Sequence, residues 1–189
     1  MRARRAIPPA VLLLLVIFLA GCSSRVSSSA PKAEGGRLDL SQARLDDGPI
    51  RLDGEWEFYW NRLLEPGGLP GGTAAGFIGV PGSWNQYAAD GGGSSGDGYA
   101  TYRLTVTVPA EGRMALKVPK LRTAYRLWVN GLLCASAGVV GTSREAMVPQ
   151  YLPQVALFQA RQGENEIVIQ VSNYSQRSGG ILESLVLGS

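Results

Sequence analysis

The stretch SNYSQRSGG, residues 172–180, gathers Asn173, Tyr174, Gln176 and Arg177 in one short polar run. Planar amides, a phenol ring and a guanidinium are the side-chain types that hold hydroxyl-rich small ligands. The planar groups bond to hydroxyls, and an aromatic face lies under a C–H surface. Gly179 and Gly180 would let the backbone approach a ligand closely. A second group lies in VPGSWNQY, where Pro81-Gly82 marks a turn and Trp84 and Asn85 follow. Tyr99, beside the glycine-rich run ADGGGSSGDG (residues 89–98), is a third aromatic able to touch a ligand. Each also has a plainer use. The 172–180 run can be a strand connection whose polar groups serve the backbone, and Trp84 can plug one end of a core.

Catalysis has less to work with. The chain contains no histidine, which removes Ser-His-Asp triads, histidine acid–base chemistry and histidine metal sites. Glycoside hydrolysis needs two carboxyl groups at a set separation. Glu55 and Glu57 share one face of a strand-like pattern, and Asp46 and Asp47 sit in a turn-like stretch; solvated carboxylates are the ordinary reading of both. The sequence is therefore expected to encode no enzyme and to use no cofactor or metal.

The N-terminus carries a different chemistry. Arg2, Arg4 and Arg5 precede an apolar run, Ala10–Ala20. That run is about half the roughly 20 residues a spanning helix needs, and the pattern is that of a secretory signal. It closes on Leu19-Ala20-Gly21-Cys22, which resembles the lipobox of bacterial lipoproteins. The resemblance implies cleavage of residues 1–21 and a diacylglyceryl group on the thiol of Cys22, and two or more acyl chains anchor stably where one is marginal. The implied location is the extracytoplasmic face of the cell membrane, or an outer membrane in a double-membraned cell. Only Cys134 then remains, within LLCASAG, so no internal disulfide is expected. The chain has 18 Lys+Arg against 15 Asp+Glu, and losing residues 1–21 removes Arg2, Arg4 and Arg5 and no acid, leaving 15 against 15. The basic character belongs to the leader and gives no support for nucleic-acid binding.

What must position the polar loops is a set of strands. Residues 22–36 are rich in Ser, Ala, Pro and Gly and read as a flexible tether. From residue 37 to 189 the apolar period is two, which predicts half-buried strands. Tyr102, Leu104, Val106 and Val108 alternate inward, as do Met114, Leu116 and Val118, then Tyr125, Leu127 and Val129, then Ile167, Ile169 and Val171. Residues 181–188 read as a last strand with weaker alternation, and 61–66 as a short helix. In RLWVNGLL the pair Asn130-Gly131 predicts a two-residue hairpin turn. Trp56, Phe58 and Trp60 alternate as a core stripe, and the 89–98 run is expected to be a mobile loop. Short strands between turn signals argue for an all-β sandwich in one domain.

Five segments then align with one family in order: LDGEWEFYW (52–60), VPGSWNQ (80–86), GYATYRLTV (98–106), YRLWVNG (125–131) and GENEIVIQVSN (163–173). They resemble the sugar-binding jelly roll at the N-terminus of glycoside hydrolase family 2 enzymes. The resemblance implies a galactose-binding-like β-sandwich without a catalytic pair. GTSREAMVPQYLP (141–153) and VSNYSQRSGGI (171–181) further resemble the extracellular domain of bacterial receptors that carry seven membrane helices and varied signalling modules. That family commonly has a histidine where this chain has Gln176. The two resemblances together imply a lipid-anchored domain that binds a carbohydrate or other small ligand and signals through a membrane partner. The alternatives are a module that docks on a membrane receptor or enzyme, and a fragment of a receptor.

Overall fold

The computed structural model describes residues 30–69, 76–88 and 95–189. The leader, Cys22 and most of the tether expected from sequence lie outside these residues, as do residues 89–94 of the glycine-rich run. The described chain is a β-sandwich. Its large sheet contains β1 (Arg37–Asp39), β3 (Gly54–Trp60), β4 (Phe77–Val80), β6 (Gly98–Val108), β8 (Ala124–Val129), β9 (Leu132–Ala137) and β11 (Gly163–Asn173). The order across it is β4-β3-β6-β11-β8-β9, and β1 runs parallel to the far end of β6. The small sheet is formed by β2 (Ile50–Arg51), β7 (Gly112–Val118), β10 (Gln154–Ala160) and β13 (Val186–Gly188), in the order β10-β7-β13-β2. A two-stranded pair of β5 (Gly82–Ser83) and β12 (Gly180–Ile181) closes one end beside a single helical turn, α1 (Asn85–Ala88).

The period-two reading holds where it was cleanest. Tyr102, Leu104, Val106 and Val108 are buried between the sheets, together with Leu116, Val118, Leu127, Val129, Ile167, Ile169 and Val171. Asn130 and Gly131 adopt φ of 51° and 83° and join β8 to β9 as a two-residue turn, the geometry a primed hairpin turn requires. The Asn130 side chain also bonds across to β11: its amide donates to Asn165 Oδ1 (2.8 Å), and its oxygen accepts from the Glu166 N–H (3.0 Å).

Four expectations need correction. Residues 61–66 are not a helix. Asn61 takes φ 54°, Pro66 lacks a donor, and the segment crosses the outer face of the large sheet. There the Leu64 N–H donates to Thr101 Oγ1 (2.9 Å), and that hydroxyl donates to the Arg62 carbonyl (2.8 Å). Glu65 pairs with Arg126 at 3.2 Å. A second difference is that Thr101, Trp128, Val168 and Gln170, on the side expected to be wet, are buried as well. The 181–188 run is broken, not continuous. Ile181 ends β12, and the chain resumes as a strand only at Val186, because Leu185 turns into the core and its carbonyl accepts from the Leu52 N–H (2.9 Å). Finally, the ordered chain starts before Arg37. Ala33 is buried and bonds through its N–H to Asp53 and through its carbonyl to Glu55. Its backbone fits there because Gly54, at φ 126°, has no Cβ to collide with it.

Candidate functional site

The end of the sandwich at β5, β12 and the close of β11 holds the polar loop singled out by sequence. Aromatic packing builds its floor. Phe58 meets Tyr102 at a centroid distance of 4.9 Å and Tyr87 at 4.7 Å, and Trp60 meets Trp84 edge-on at 5.4 Å. Such tilted pairs add to the gain from burying the rings. Trp84 is fully buried, and its indole N–H donates to the Gly96 carbonyl (3.0 Å). It is the core plug, not a ligand platform. Gly179 passes so close to the Trp84 ring that a Cβ there would collide with it. The glycine serves the packing of the loop on the tryptophan, where the sequence reading gave it to a ligand.

Two amides then fix the loop's backbone. Asn173, fully buried, donates through Nδ2 to the carbonyls of Gly96 (2.7 Å) and Gln176 (2.8 Å). Its Oδ1 accepts from the Gln176 N–H (3.1 Å) and the Thr123 hydroxyl (3.2 Å). Asn85 donates to the Arg177 carbonyl (2.8 Å) and accepts from the Gly179 N–H (3.2 Å) and the Ser83 hydroxyl (2.6 Å). Asn173 has its bonding capacity engaged inside the protein, and half-buried Asn85 has both acceptor positions and one of its two N–H donors engaged. Asn173 and Asn85 are therefore positioning residues, a correction to the expectation that they contact a ligand.

The side chains left over face an open polar cleft of about 360 Å³, lined by Gly96, Asp97, Arg144, Tyr174, Gln176 and Arg177, with Ser95 and Ser175 at its edge. Of the residues picked from sequence, the structure brings Tyr174, Gln176 and Arg177 to this cleft. Arg177 is exposed, while Tyr174 and Gln176 are half-buried. The Tyr174 hydroxyl donates to the Thr142 carbonyl (2.7 Å). Partial burial, reinforced by Tyr99, Asp97 and Glu145 nearby, raises its pKa, so the phenol stays neutral at ordinary pH. Tyr99 stands beside Tyr174 without lining the cleft.

Sequence reasoning missed Arg144 and Asp97, which form an ion pair across the cleft at 2.9 Å. Arg144 rides on the 141–147 loop. That loop is held by the Gly141 N–H to Ser172 Oγ (3.1 Å) and the Met147 N–H to the Ser143 carbonyl (3.1 Å). Residues 141–153 carried a family resemblance and a turn-like Gly-Thr-Ser before Arg144, and neither says which end of the sandwich the loop reaches. Gly96 and Asp97 close the glycine-rich run. Gly96 is buried, and its carbonyl accepts from both Trp84 and Asn173, so at least this end of the run is fixed to the core.

A second cleft, about 450 Å³, lies on the outer face of the large sheet among Arg103, Asn130, Arg161, Glu164 and Glu166. Most of its charges are engaged with each other or with neighbours. Arg103 pairs with Glu166 (2.7 Å) and Glu57 (3.2 Å), and Arg37 pairs with Glu164 (2.6 Å). Glu55 and Glu57, the carboxylates weighed for catalysis, are used in the same way: Glu55 accepts from the Gly35 N–H (3.2 Å), and Glu57 takes Arg103 and the Tyr59 hydroxyl (2.8 Å). Among the described residues no group of three or more His, Cys, Asp and Glu is placed to hold a metal ion. Cys134 is half-buried, with its thiol directed at the Leu132 carbonyl.

No family model matches the chain, and no curated protein does. Solved structures do. A glycoside hydrolase family 2 β-galacturonidase from Eisenbergiella tayi, solved bound to galacturonate, superposes with a TM-score of 0.51 at 18% identity. It is matched over 74% of this chain and 24% of its own. A β-glucuronidase from an uncultured Clostridium species gives 0.56 at 18% identity, over 74% of this chain and 28% of its own. The β-glucuronidase of Faecalibacterium prausnitzii gives 0.53 at 17% identity, over 74% and 31%. This chain thus spans roughly a quarter to a third of their length. Likeness at such identity concerns the fold alone: the described chain is an all-β, galactose-binding-like jelly-roll sandwich of the kind found within those enzymes.

Proposed function

We propose that this protein is a lipid-anchored, extracytoplasmic β-sandwich that binds a carbohydrate in the Tyr174–Arg177 cleft without transforming it, and signals that binding through a membrane partner. The observation that carries the reading is the division of labour in the 172–180 loop. Asn173 and Asn85 hold its backbone, which leaves the side chains of Gln176 and Arg177 free at an open cleft, beside the ring of Tyr174, whose hydroxyl is held by the Thr142 carbonyl. A pre-formed polar site of this kind spends little binding energy on ordering itself. The lipobox-like run ending at Cys22 supports the anchor, and the solved sugar-processing relatives of the same fold support a saccharide as the ligand class. Arg144 and Arg177 against the single carboxylate of Asp97 make the cleft's lining cationic on balance, so uronic sugars are expected to bind more tightly than neutral ones.

The test is a thermal-shift screen of the mature protein against neutral and uronic mono- and oligosaccharides. A ligand at about 100 times its dissociation constant adds roughly 2.7 kcal/mol. For a chain of this size that is about 5–10 °C in midpoint. A shift of that order, lost in Arg177→Ala, supports the reading; one midpoint against every sugar at millimolar concentration sinks it. A second reading, a module that docks on a membrane protein, is favoured by the apolar strip at the base of the Arg144 loop. Val139 and Val148 are each 53% exposed there, and Tyr151 44%. A flat sugar screen combined with capture of a membrane protein by cross-linking at Tyr151 would favour it.

A further inference from the structure

The outward face of the small sheet has a composition that its role in the sandwich does not explain. The register puts Val155, Lys117, Val186 and Arg51 side by side in one row across the four strands, and Leu157, Ala115 and Gly188 in the next; Gln159 stands opposite Arg113 in the third. Their inward neighbours Ala156, Leu116 and Leu187 are buried, so by strand alternation these side chains point to solvent. Val155 and Leu157 are 62% and 61% exposed. None of these outward positions carries a carboxylate. Arg51 shares its charge with Asp53 at 3.0 Å beyond the end of β2. Arg113 and Lys117 are exposed and form no ion pair among the described residues.

The start of the described chain lies at the border of the same sheet. Ala30, Pro31 and Lys32 line a small hollow with Pro49, Ile50 and Arg51 of the β2 edge. Cys22 precedes Ala30 by only a short stretch, which even fully extended reaches about 28 Å. A chain acylated at Cys22 therefore keeps the β2 side of the small sheet close to the bilayer. We infer that, once anchored, this protein lays the outer face of its small sheet on the anionic surface of the membrane, with Lys117 and Arg113 toward the headgroups and Val155 and Leu157 at the acyl boundary. The inference rests on the anchoring reading above. Aliphatic side chains set among cations are the pattern of surfaces that lie in a membrane interface. A second copy of the chain fits less well, because an isologous contact would set the cations of this face against one another.

The test uses the full chain, produced in bacteria that acylate lipoproteins and reconstituted into phosphatidylcholine vesicles with and without phosphatidylglycerol. On a Cys134→Ser background, an environment-sensitive fluorophore is attached at Leu157→Cys or, on the opposite face of the molecule, at Glu65→Cys. Bilayer-borne quencher is expected to quench the Leu157 label, more strongly with phosphatidylglycerol, and to spare the Glu65 label. Arg113→Gln and Lys117→Gln should each lower the shielded-to-free ratio about fivefold, the effect of one cation near an anionic surface. An acylated chain whose two labels are quenched alike, or not at all, overturns the inference and leaves the anchor standing. Shielding of Leu157 in native membranes but not in pure lipid assigns the face to a protein and also overturns it. A mass showing Cys22 unmodified removes the anchor and the inference together.

Discussion

The Arg103 cluster and the Arg177 loop use similar side chains to opposite ends. On the large sheet, Arg103 is clamped by Glu57 and Glu166, and all three are less than a third exposed. Each charge meets its partner on a rigid neighbouring strand, at Glu57↔Arg103 in the register of β3 with β6 and near it in β11 with β6. In the loop, the buried bonds fall on the backbone, through Asn173 and Asn85, and the side chains of Gln176 and Arg177 face the cleft. Residue type alone does not separate a structural polar group from a binding one. What separates them is whether the bonding capacity of the side chain is already filled inside the fold.

The largest effect should come from breaking the scaffold of the loop. Asn173→Ala removes a fully buried amide and leaves the Gln176 N–H without its acceptor and the Gln176 carbonyl without its donor. Buried orphans cost about 1–3 kcal/mol each, and with partial relaxation the expected loss is about 3 kcal/mol. Urea unfolding should show it as a lower midpoint at an unchanged slope. Sugar-dependent stabilisation should vanish as well, since the backbone that aims Arg177 is no longer held. An Asn173→Ala protein that is as stable as the parent would mean the amide network does not carry the loop.

The next effect tests the other side of the contrast. Arg103→Leu leaves Glu57 and Glu166 without their cation but still partly solvated, so roughly 1–2 kcal/mol is expected to be lost, below the 3–5 kcal/mol of a fully buried pair. Ligand binding at the distant cleft should be untouched. Tyr59 gives this cluster a pH signature. Its pKa is pushed up to about 12 by burial and by the Glu57 carboxylate that its hydroxyl bonds. The folded state therefore holds the phenol proton more tightly than the unfolded chain does. The stability from this group is complete below pH 10 and is lost as pH rises from about 10 to 12. Tyr102, Tyr125 and Tyr174 are shifted in the same direction, so the slope is shared. Tyr59→Phe should make it shallower by up to roughly 1.4 kcal/mol per pH unit, and an unchanged slope would show that Tyr59 titrates as it does in the unfolded chain.

Much of the sandwich was legible because a period-two pattern is a local consequence of one buried face. Tyr102 to Val108 and Ile167 to Val171 needed no knowledge of their partners. The Asn130-Gly131 turn was equally local, being set by positive φ at two adjacent residues. What could not be read was the outer layer. Trp128, Val168 and Gln170 are buried on the outer face of the large sheet, the face crossed by 61–66, and the path of that segment depends on Thr101 offering it bonds from another strand. The site divided in the same way. Tyr174, Gln176 and Arg177 were found because they crowd one loop. Arg144 and Asp97 were missed because only the folded chain brings residues 97, 144 and 177 together. Asn173, named from the 172–180 loop, and Asn85, named beside Trp84 in the 80–87 stretch, were given the wrong role, since the sequence around an amide does not show which way its bonds are used.

The smallest effect on stability should be the most informative about binding. Arg177 is exposed and forms no ion pair among the described residues, and its contribution to the fold passes through its carbonyl, which Asn85 holds whatever the side chain. Arg177→Ala should therefore change stability by no more than about 0.5 kcal/mol, the range of ordinary surface substitutions. A guanidinium that bonds a uronate carboxylate through two parallel N–H groups is worth more than a neutral bond, about 1.5–3 kcal/mol. The variant should weaken uronic sugars by roughly 10- to 100-fold and neutral sugars much less, as isothermal titration of both classes would show. Arg177→Lys separates charge from geometry: a point charge keeps the long-range attraction and loses the planar fork, so its affinity should fall between the two. Equal weakening of uronic and neutral sugars in Arg177→Ala would show that the residue acts by shape, and the cationic balance of the cleft would then have no part in choosing the ligand.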